Sequence, residues 1–382
     1  MLIPFRTTEN WSLGVIVNPQ NVCIRNEKCK LILFTTNREE SVGYLDVIRT
    51  FLLKAHRIRN RMTYPENVNR LKPHHIRVIG AMGDSLTIGS RAQNNFEEFT
   101  QRYPGNTYFT GADFEIDKHL TIYNIFRYIS SKTGSKLLPG SRGIDYGTNT
   151  MFNVAVSGMT CRDIPRQAEE LYSRIANNSD VNIEEDWKMI VLWIGTNDVG
   201  TIGRREFKPI TGEEYKSQIE KALKILKSKL PRTIVMIVGE FQPELLIEAE
   251  FIMRDGKRPR DKANQDHIDK ISKDYQNAVF EIQNSREFND EEFTVVVQPF
   301  ATEYKHPLID SSGNYRKEFY AVDEFHLSKL GHAVVAKYLW QNIFEPVGQK
   351  TTNASLGDWN PTIQQLTESN SLIKTIDNSD VD

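Results

Sequence analysis

Ser85 in the run Gly83-Asp84-Ser85-Leu86, with His326 and Asp323 in Asp323-Glu324-Phe325-His326, have the residue types and spacing for acyl transfer. A serine hydroxyl is a weak nucleophile until a neighbouring base takes its proton. His326 can take it through Nε2 while Asp323, in the same short turn, holds the Nδ1 proton and fixes the tautomer. The tetrahedral intermediate also needs donors set in advance for its oxyanion. The backbone N–H of Ser85, the backbone N–H of Gly158 and the side-chain amide of Asn197 are groups of that kind. Glycine at 158 lets the backbone approach a substrate closely, and the amide at 197 donates without carrying charge.

Each block alone is ordinary. Gly-Asp-Ser is turn chemistry, Asn197-Asp198 is turn or cap chemistry, and a single loop histidine is seldom a base. The catalytic reading rests on their joint appearance in the order Ser, Asp, His, with the serine, glycine and asparagine each following its own apolar run. His332 reads as helix packing or support behind the site, and Asp198 as support for its loop.

These loops need strands that end together. Apolar runs over 76–82, 151–156, 187–194, 233–238 and 293–298 predict strands. Helical spacing predicts helices over 163–176, 215–230, 265–283 and 329–344, the second opened by Thr211 and Glu214 and closed by Pro231. The alternation predicts an α/β fold, a three-layer α/β/α sandwich with a mainly parallel sheet. Right-handed crossovers then bring the carboxyl ends of the strands to one edge, where ligands bind. Residues 1–70 read as an N-terminal extension with one strand at Leu31-Ile32-Leu33-Phe34 and helical spacing over 44–56. The segment 93–149 reads as an insertion over the sheet edge that supplies substrate-binding walls, and 352–382 as a polar, mobile tail behind a hydrolase domain at 71–351.

Composition removes several classes. With 39% hydrophobic and 26% charged residues the 382-residue chain is ordinary for a globular protein. A net charge of -2 gives no bulk attraction to nucleic acid. No apolar run is long enough to predict a transmembrane segment. Cys23, Cys29 and Cys161 are too few for a disulfide framework, although the first two could pair. The start Met1-Leu2-Ile3-Pro4-Phe5-Arg6 does not read as a secretory leader, which leaves the compartment open. Gly80, Gly83 and Gly89 do not form a dinucleotide fingerprint, and no phosphate-binding Gly-Lys-Ser/Thr follows. His-Glu-x-x-His is absent, and adjacent His74-His75 is a poor metal pair, so no metal is expected. No Gly-x-Ser-x-Gly elbow occurs.

The four blocks resemble those of the GDSL (SGNH) hydrolases, whose serine, glycine, asparagine and histidine fall here on Ser85, Gly158, Asn197 and His326. More narrowly, the chain is similar to the phospholipase B-like branch. That likeness rests on Ile79-Gly80-Ala81-Met82-Gly83-Asp84-Ser85-Leu86-Thr87, Glu184-Glu185-Asp186-Trp187-Lys188, Phe293-Thr294-Val295-Val296-Val297-Gln298-Pro299-Phe300 and the stretch from Leu339-Trp340-Gln341-Asn342 to Thr351. The resemblance implies a flavodoxin-like sandwich and a Ser-Asp-His esterase, built from Ser85, Asp323 and His326, that uses no cofactor. It implies phospholipase B or lysophospholipase-type removal of acyl chains from phospholipids, through an acyl-enzyme on Ser85 and transient contact with a membrane or micelle surface. A general acyl or acetyl esterase and a non-catalytic lipid-binding relative are the competing readings. The resemblance also implies a secreted or extracellular enzyme, but the chain departs from that pattern. Family members carry cysteines after the asparagine block and before the histidine, where this chain has Val199-Gly200-Thr201 and Glu324; Thr196 stands where glycine is usual.

Overall fold

The chain divides into two units, Met1–Tyr64 and Pro65–Asp382. The computed structural model describes residues 2–6, 12–18, 21–26, 29–35, 65–93, 101–144, 148–200, 210–242, 245–246, 262–304, 308–309, 312–313, 315–357 and 371–379. The helical spacing over 44–56 and the side chains of Cys23 and Cys29 lie outside them.

The first unit holds an antiparallel sheet of β1 (Leu2–Arg6), β2 (Ser12–Asn18), β3 (Asn21–Asn26) and β4 (Cys29–Thr35), in that order. Only β4 was expected. β1 carries Pro4, which cannot donate to a ladder, and it takes the edge position where that defect is tolerated.

In the second unit β5 (Ile76–Gly83), β6 (Trp187–Trp193), β7 (Thr233–Val238) and β8 (Phe293–Gln298) pair in parallel in that order. Helices lie between and after them: α1 (Ser85–Ile88), α2 (Ile122–Thr133), α3 (Ile164–Ala176), α4 (Thr196–Gly200), α5 (Gly212–Lys229), α6 (Lys262–Ser285) and, beyond β8, α7 (Lys329–Phe344). Alternate residues of each strand face opposite layers. Val78, Met82, Ile190, Leu192, Val235, Ile237, Val295 and Val297 pack with apolar stripes of α3, α5 and α6, among them Leu171, Ile219, Leu223 and Val279. On the opposite side Trp193 packs edge-on to Tyr108, while Phe126 of α2 meets Trp340 of α7. The arrangement is an α/β/α sandwich with a mostly parallel sheet, as expected.

Both faces are covered, so β6 is buried throughout, including Lys188. Its Nζ turns to the strand's start and donates to the carbonyls of Asp186 (2.9 Å), Pro231 (2.6 Å) and Ile183; burial lowers it to about 7.

The expected strand over 151–156 is a correction. The segment does run beside β5, with Ala81 N–H donating to Phe152 O and Val154 N–H to Ala81 O, both at 2.9 Å. It forms a single parallel bridge, Ala81 with Asn153, rather than a regular strand. Gly83 explains this. Its N–H, which would continue the ladder to the 154 carbonyl, donates instead to Gln167 Oε1 (2.8 Å), while Val156 N–H still reaches Gly83 O (3.2 Å), so the pairing stops at one bridge.

Two further segments differ from expectation. The 93–149 insertion contains α2, capped by Thr121 and ended by Gly134, with Ile122, Ile125, Phe126 and Ile129 buried. The polar tail packs down over 371–379: Ile373 is buried, its N–H donates to Leu71 O (2.8 Å), and Lys374 N–H donates to Ile343 O (3.0 Å).

Candidate active site

The turn after β5 is built to present Ser85. Gly83 has φ +153°, and a Cβ there would lie 2.3 Å from the Trp193 carbonyl and 2.6 Å from Thr87 Oγ1, so only glycine fits. Asp84 caps α1, its Oδ1 accepting the Leu86 N–H at 2.9 Å. Ser85 is thus the first residue of α1, where a backbone N–H has no partner within the helix. The residue is 7% exposed.

The loop of Asn197 meets this turn. Asn197 Nδ2 donates to Met159 O at 2.9 Å and to Asp84 Oδ2 at 3.3 Å. One amide therefore bridges the residue before Ser85 and the residue after Gly158, so the three loops meet at Asn197. Gly158 has φ +79° and open space where a Cβ would be, so its conformation rather than crowding calls for glycine. Beside it, Ser157 Oγ lies 2.6 Å from Ser90 Oγ and ties the loop to the segment that follows α1.

His326 and Asp323 form the second half of the site. His326 Nδ1 lies 2.6 Å from Asp323 Oδ2, while Asp323 Oδ1 accepts the N–H groups of His326 (3.0 Å) and Phe325 (3.2 Å). Glu324, at φ +63°, turns the chain tightly enough for this. Burial works to raise the Asp323 carboxyl, but the bonds and charge of His326, with the charge of Arg91, outweigh it and hold the group well below the usual range. With Nδ1 engaged, Nε2 is the nitrogen left for proton transfer.

Arg91 joins the halves. Six positions beyond Ser85 in the sequence, it places Nη1 2.6 Å from Asp323 Oδ2. Among the described residues no hydrogen bond links the Ser85 hydroxyl to His326; bonds between catalytic groups commonly tighten only when substrate is bound. Nothing in the spacing of the sequence pointed to Arg91.

Behind the site sit three buried carboxyls. Asp198 accepts the Cys161 N–H with both oxygens, at 3.2 and 3.1 Å, and so ties the Asn197 loop to the segment before α3. Glu240 accepts from Thr196 Oγ1 at 3.0 Å, which gives the threonine a role at the position where the family pattern has glycine. Burial raises Asp84 to about 7 against the pull of the Leu86 amide, and Asp198 to about 6 against that of Cys161. Burial, then the charge of Asp84, raises Glu240 well above its ordinary value. Glu240 was not found from the sequence, because a glutamate after a strand has no distinguishing pattern.

His332 is 1% exposed, accepts the Tyr108 N–H at Nδ1 (3.2 Å) and lies parallel to the Tyr108 ring. Burial lowers it to about 3, so it packs as a neutral ring. Tyr108 also reaches Thr87 (3.2 Å), and Tyr103 N–H donates to Gly89 O (2.8 Å), so the 101–144 segment borders the serine turn. Among the described residues no cluster of His, Cys, Asp or Glu is arranged to hold a metal, and no helix is long and apolar enough to cross a membrane.

Residues 79–339 match the family model for GDSL-like lipase/acylhydrolase. The chain is 33% identical to membrane-associated phospholipase B1 of Homo sapiens, over 76% of this chain and 21% of that protein. It is 30% identical to the Rattus norvegicus counterpart, over 83% of this chain and 22% of that protein. The chain therefore spans about a fifth of the length of these curated relatives. Among solved structures, the lipase Lip_vut3 from a goat rumen metagenome aligns with a TM-score of 0.39 at 13% identity, covering 68% of this chain and 94% of that one.

Proposed function

The chain belongs to the GDSL-like lipase/acylhydrolase family, and from that premise we propose that it is a carboxylic ester hydrolase working through an acyl-enzyme on Ser85. The observation that supports the reading is the 2.6 Å contact of His326 Nδ1 with Asp323 Oδ2, the orientation a general base needs, with Arg91 tying that pair to the segment after the serine turn. In the proposed reaction His326 Nε2 takes the Ser85 proton as Oγ bonds to the acyl carbon. Negative charge collects on the carbonyl oxygen, where the N–H groups of Ser85 and Gly158 and the Asn197 amide serve as donors. The ester C–O bond then breaks, and His326 passes its proton to the leaving alcohol. Water attacks the acyl-enzyme, giving its proton to His326, and the acid leaves as Ser85 recovers the proton.

For the substrate, we assign phospholipid and lysophospholipid acyl esters. Support comes from the phospholipase B1 relatives and from the stretches that resemble the phospholipase B-like branch. The 101–144 segment, bordering the serine turn, supplies walls for the acyl chain in this reading. Labelling with a fluorophosphonate, lost in folded Ser85→Ala and His326→Gln, tests the chemistry. Mass spectrometry of products from a phosphatidylcholine with two different acyl chains tests the substrate. Turnover of p-nitrophenyl acetate alone would reduce the assignment to a simple esterase, and absence of labelling in folded protein would overturn both.

A further inference from the structure

Arg91 brings a positive charge against the Asp323–His326 pair from a separate loop. Its Nη1 donates to Asp323 Oδ2 at 2.6 Å, the same oxygen that faces His326 Nδ1 at 2.6 Å. Asp323 Oδ1 already accepts the backbone N–H groups of Phe325 and His326. Both oxygens are therefore doubly engaged, and the carboxylate cannot swing without losing a donor.

The backbone of Arg91 is unusual as well. Its φ is +60°, in the left-handed region that favours glycine. The conformation is held by Arg91 N–H donating to Gln101 O (3.0 Å), Gln93 N–H donating to Arg91 O (2.7 Å) and the antiparallel bridge of Ser90 with Arg102. Strained residues persist where their surroundings over-determine them, and they gather at functional sites. Glycine would meet the backbone requirement here. What arginine adds is the guanidinium on Asp323.

We propose that Arg91 is a positioning residue for the Asp323–His326 pair, locking the carboxylate toward Nδ1 and offsetting part of its charge. The inference rests on His326 being the base. Among the described residues, the charged and titratable groups around the pair are Arg91 from the loop after α1, Glu324 from the same turn and His332 from α7, on which the charge of His326 acts. A guanidinium against Oδ2 weakens the field that the carboxylate exerts on the ring. Removing it leaves the full negative charge facing the imidazolium, which favours the protonated ring. His326 would then become a free base only at higher pH.

The test is an NMR titration of the His326 ring in the full chain and in Arg91→Gly and Arg91→Lys, with the resonance assigned by its loss in His326→Gln. Glycine suits the φ of +60°, so Arg91→Gly keeps the backbone, and circular dichroism checks the fold. The titration midpoint is expected to rise in Arg91→Gly. Arg91→Lys, which keeps the charge but not the planar fork, should recover most of that shift. The acid limb of kcat/KM for p-nitrophenyl butyrate should move in parallel. A midpoint unchanged in folded Arg91→Gly overturns the inference. A midpoint that moves in a protein without esterase activity leaves Arg91 acting on the pair and instead removes the proposed catalytic function.

Discussion

Gln167 of α3 grips Gly83 at both ends of one residue: Gly83 N–H donates to Gln167 Oε1 and Gln167 Nε2 donates to Gly83 O, each at 2.8 Å. The helix that packs on β5 thereby also fixes the backbone immediately before Asp84 and Ser85. The Gly83 carbonyl has a second donor in Val156 N–H at 3.2 Å, so it is the Gly83 N–H that depends on the glutamine. A buried donor left unpaired costs about 1–3 kcal/mol. Gln167→Leu, similar in size and without polar atoms, should lose about that much in urea unfolding and lower kcat more than it raises KM. An unfolding midpoint equal to that of the parent would mean that the turn holds itself.

Asp323 carries a prediction for activity and one for stability. Replacing it with Asn keeps the shape but offers an N–H₂ where His326 Nδ1 and Arg91 Nη1 now find an acceptor. Loss of the correct tautomer in a Ser-His-Asp triad costs roughly 10⁴-fold in kcat, and Asp323→Asn should fall by that order in ester hydrolysis. The carboxyl is held below its unfolded value, so it stabilises the fold above about pH 4 and gives that contribution up as pH falls further. Unfolding free energies measured from pH 6 down to pH 3 should decline less steeply in the variant. Parallel declines would show that the pair is not coupled to folding.

Asp198 behaves in the opposite sense. Burial raises it to about 6, above the value near 4 of an unfolded aspartate, so the folded chain holds this proton more tightly. Stability is therefore highest when the group is protonated and declines as pH climbs from about 4 to 6, then levels off. Asp198→Asn keeps an acceptor for the Cys161 N–H and removes the charge, which also relieves Asp84. Relative to the parent, the variant should gain stability between pH 4.5 and pH 7.5 by thermal unfolding. A gap between the two proteins that is constant with pH would refute the assignment.

What could be read in advance follows from how local each signal is. Thr233–Val238 and Phe293–Gln298 are short apolar runs between turn residues, and both strands fall where spacing puts them. Helix α7 falls where the spacing puts it, opened by Ser328, whose Oγ accepts the Gly331 N–H. Asp323 and His326 are three residues apart, and their contact is a property of one turn. Arg91 and Asp323, by contrast, are separated by 232 positions and meet only because the sheet brings two loops to one edge. Glu240 with Thr196 and Gln167 with Gly83 are non-local in the same way. The 151–156 segment misled because its apolar content is that of a strand, while Gln167, distant in sequence, takes the Gly83 N–H that would have extended its ladder. Helix α2 was not read from the sequence, because the polar residues among Ile122, Ile125, Phe126 and Ile129 and on either side of them weaken the period.

Asn197 offers a direct check on the oxyanion donors. Its Nδ2 holds Met159 O at 2.9 Å and Asp84 Oδ2 at 3.3 Å, and the longer of these bonds is the one a substrate oxyanion would replace at least cost. Removing one such donor costs on the order of 10²–10³ in kcat. Asn197→Ala should show that loss with little change in KM, because the interaction forms mainly in the transition state. Asn197→Asp should do worse, since it sets a carboxylate beside Asp84 and removes the donor together. Burst-phase measurements with a p-nitrophenyl ester locate the defect in acylation. A variant that loses affinity for ester while keeping kcat would instead place Asn197 in ground-state binding and leave the oxyanion to the backbone N–H groups of Ser85 and Gly158.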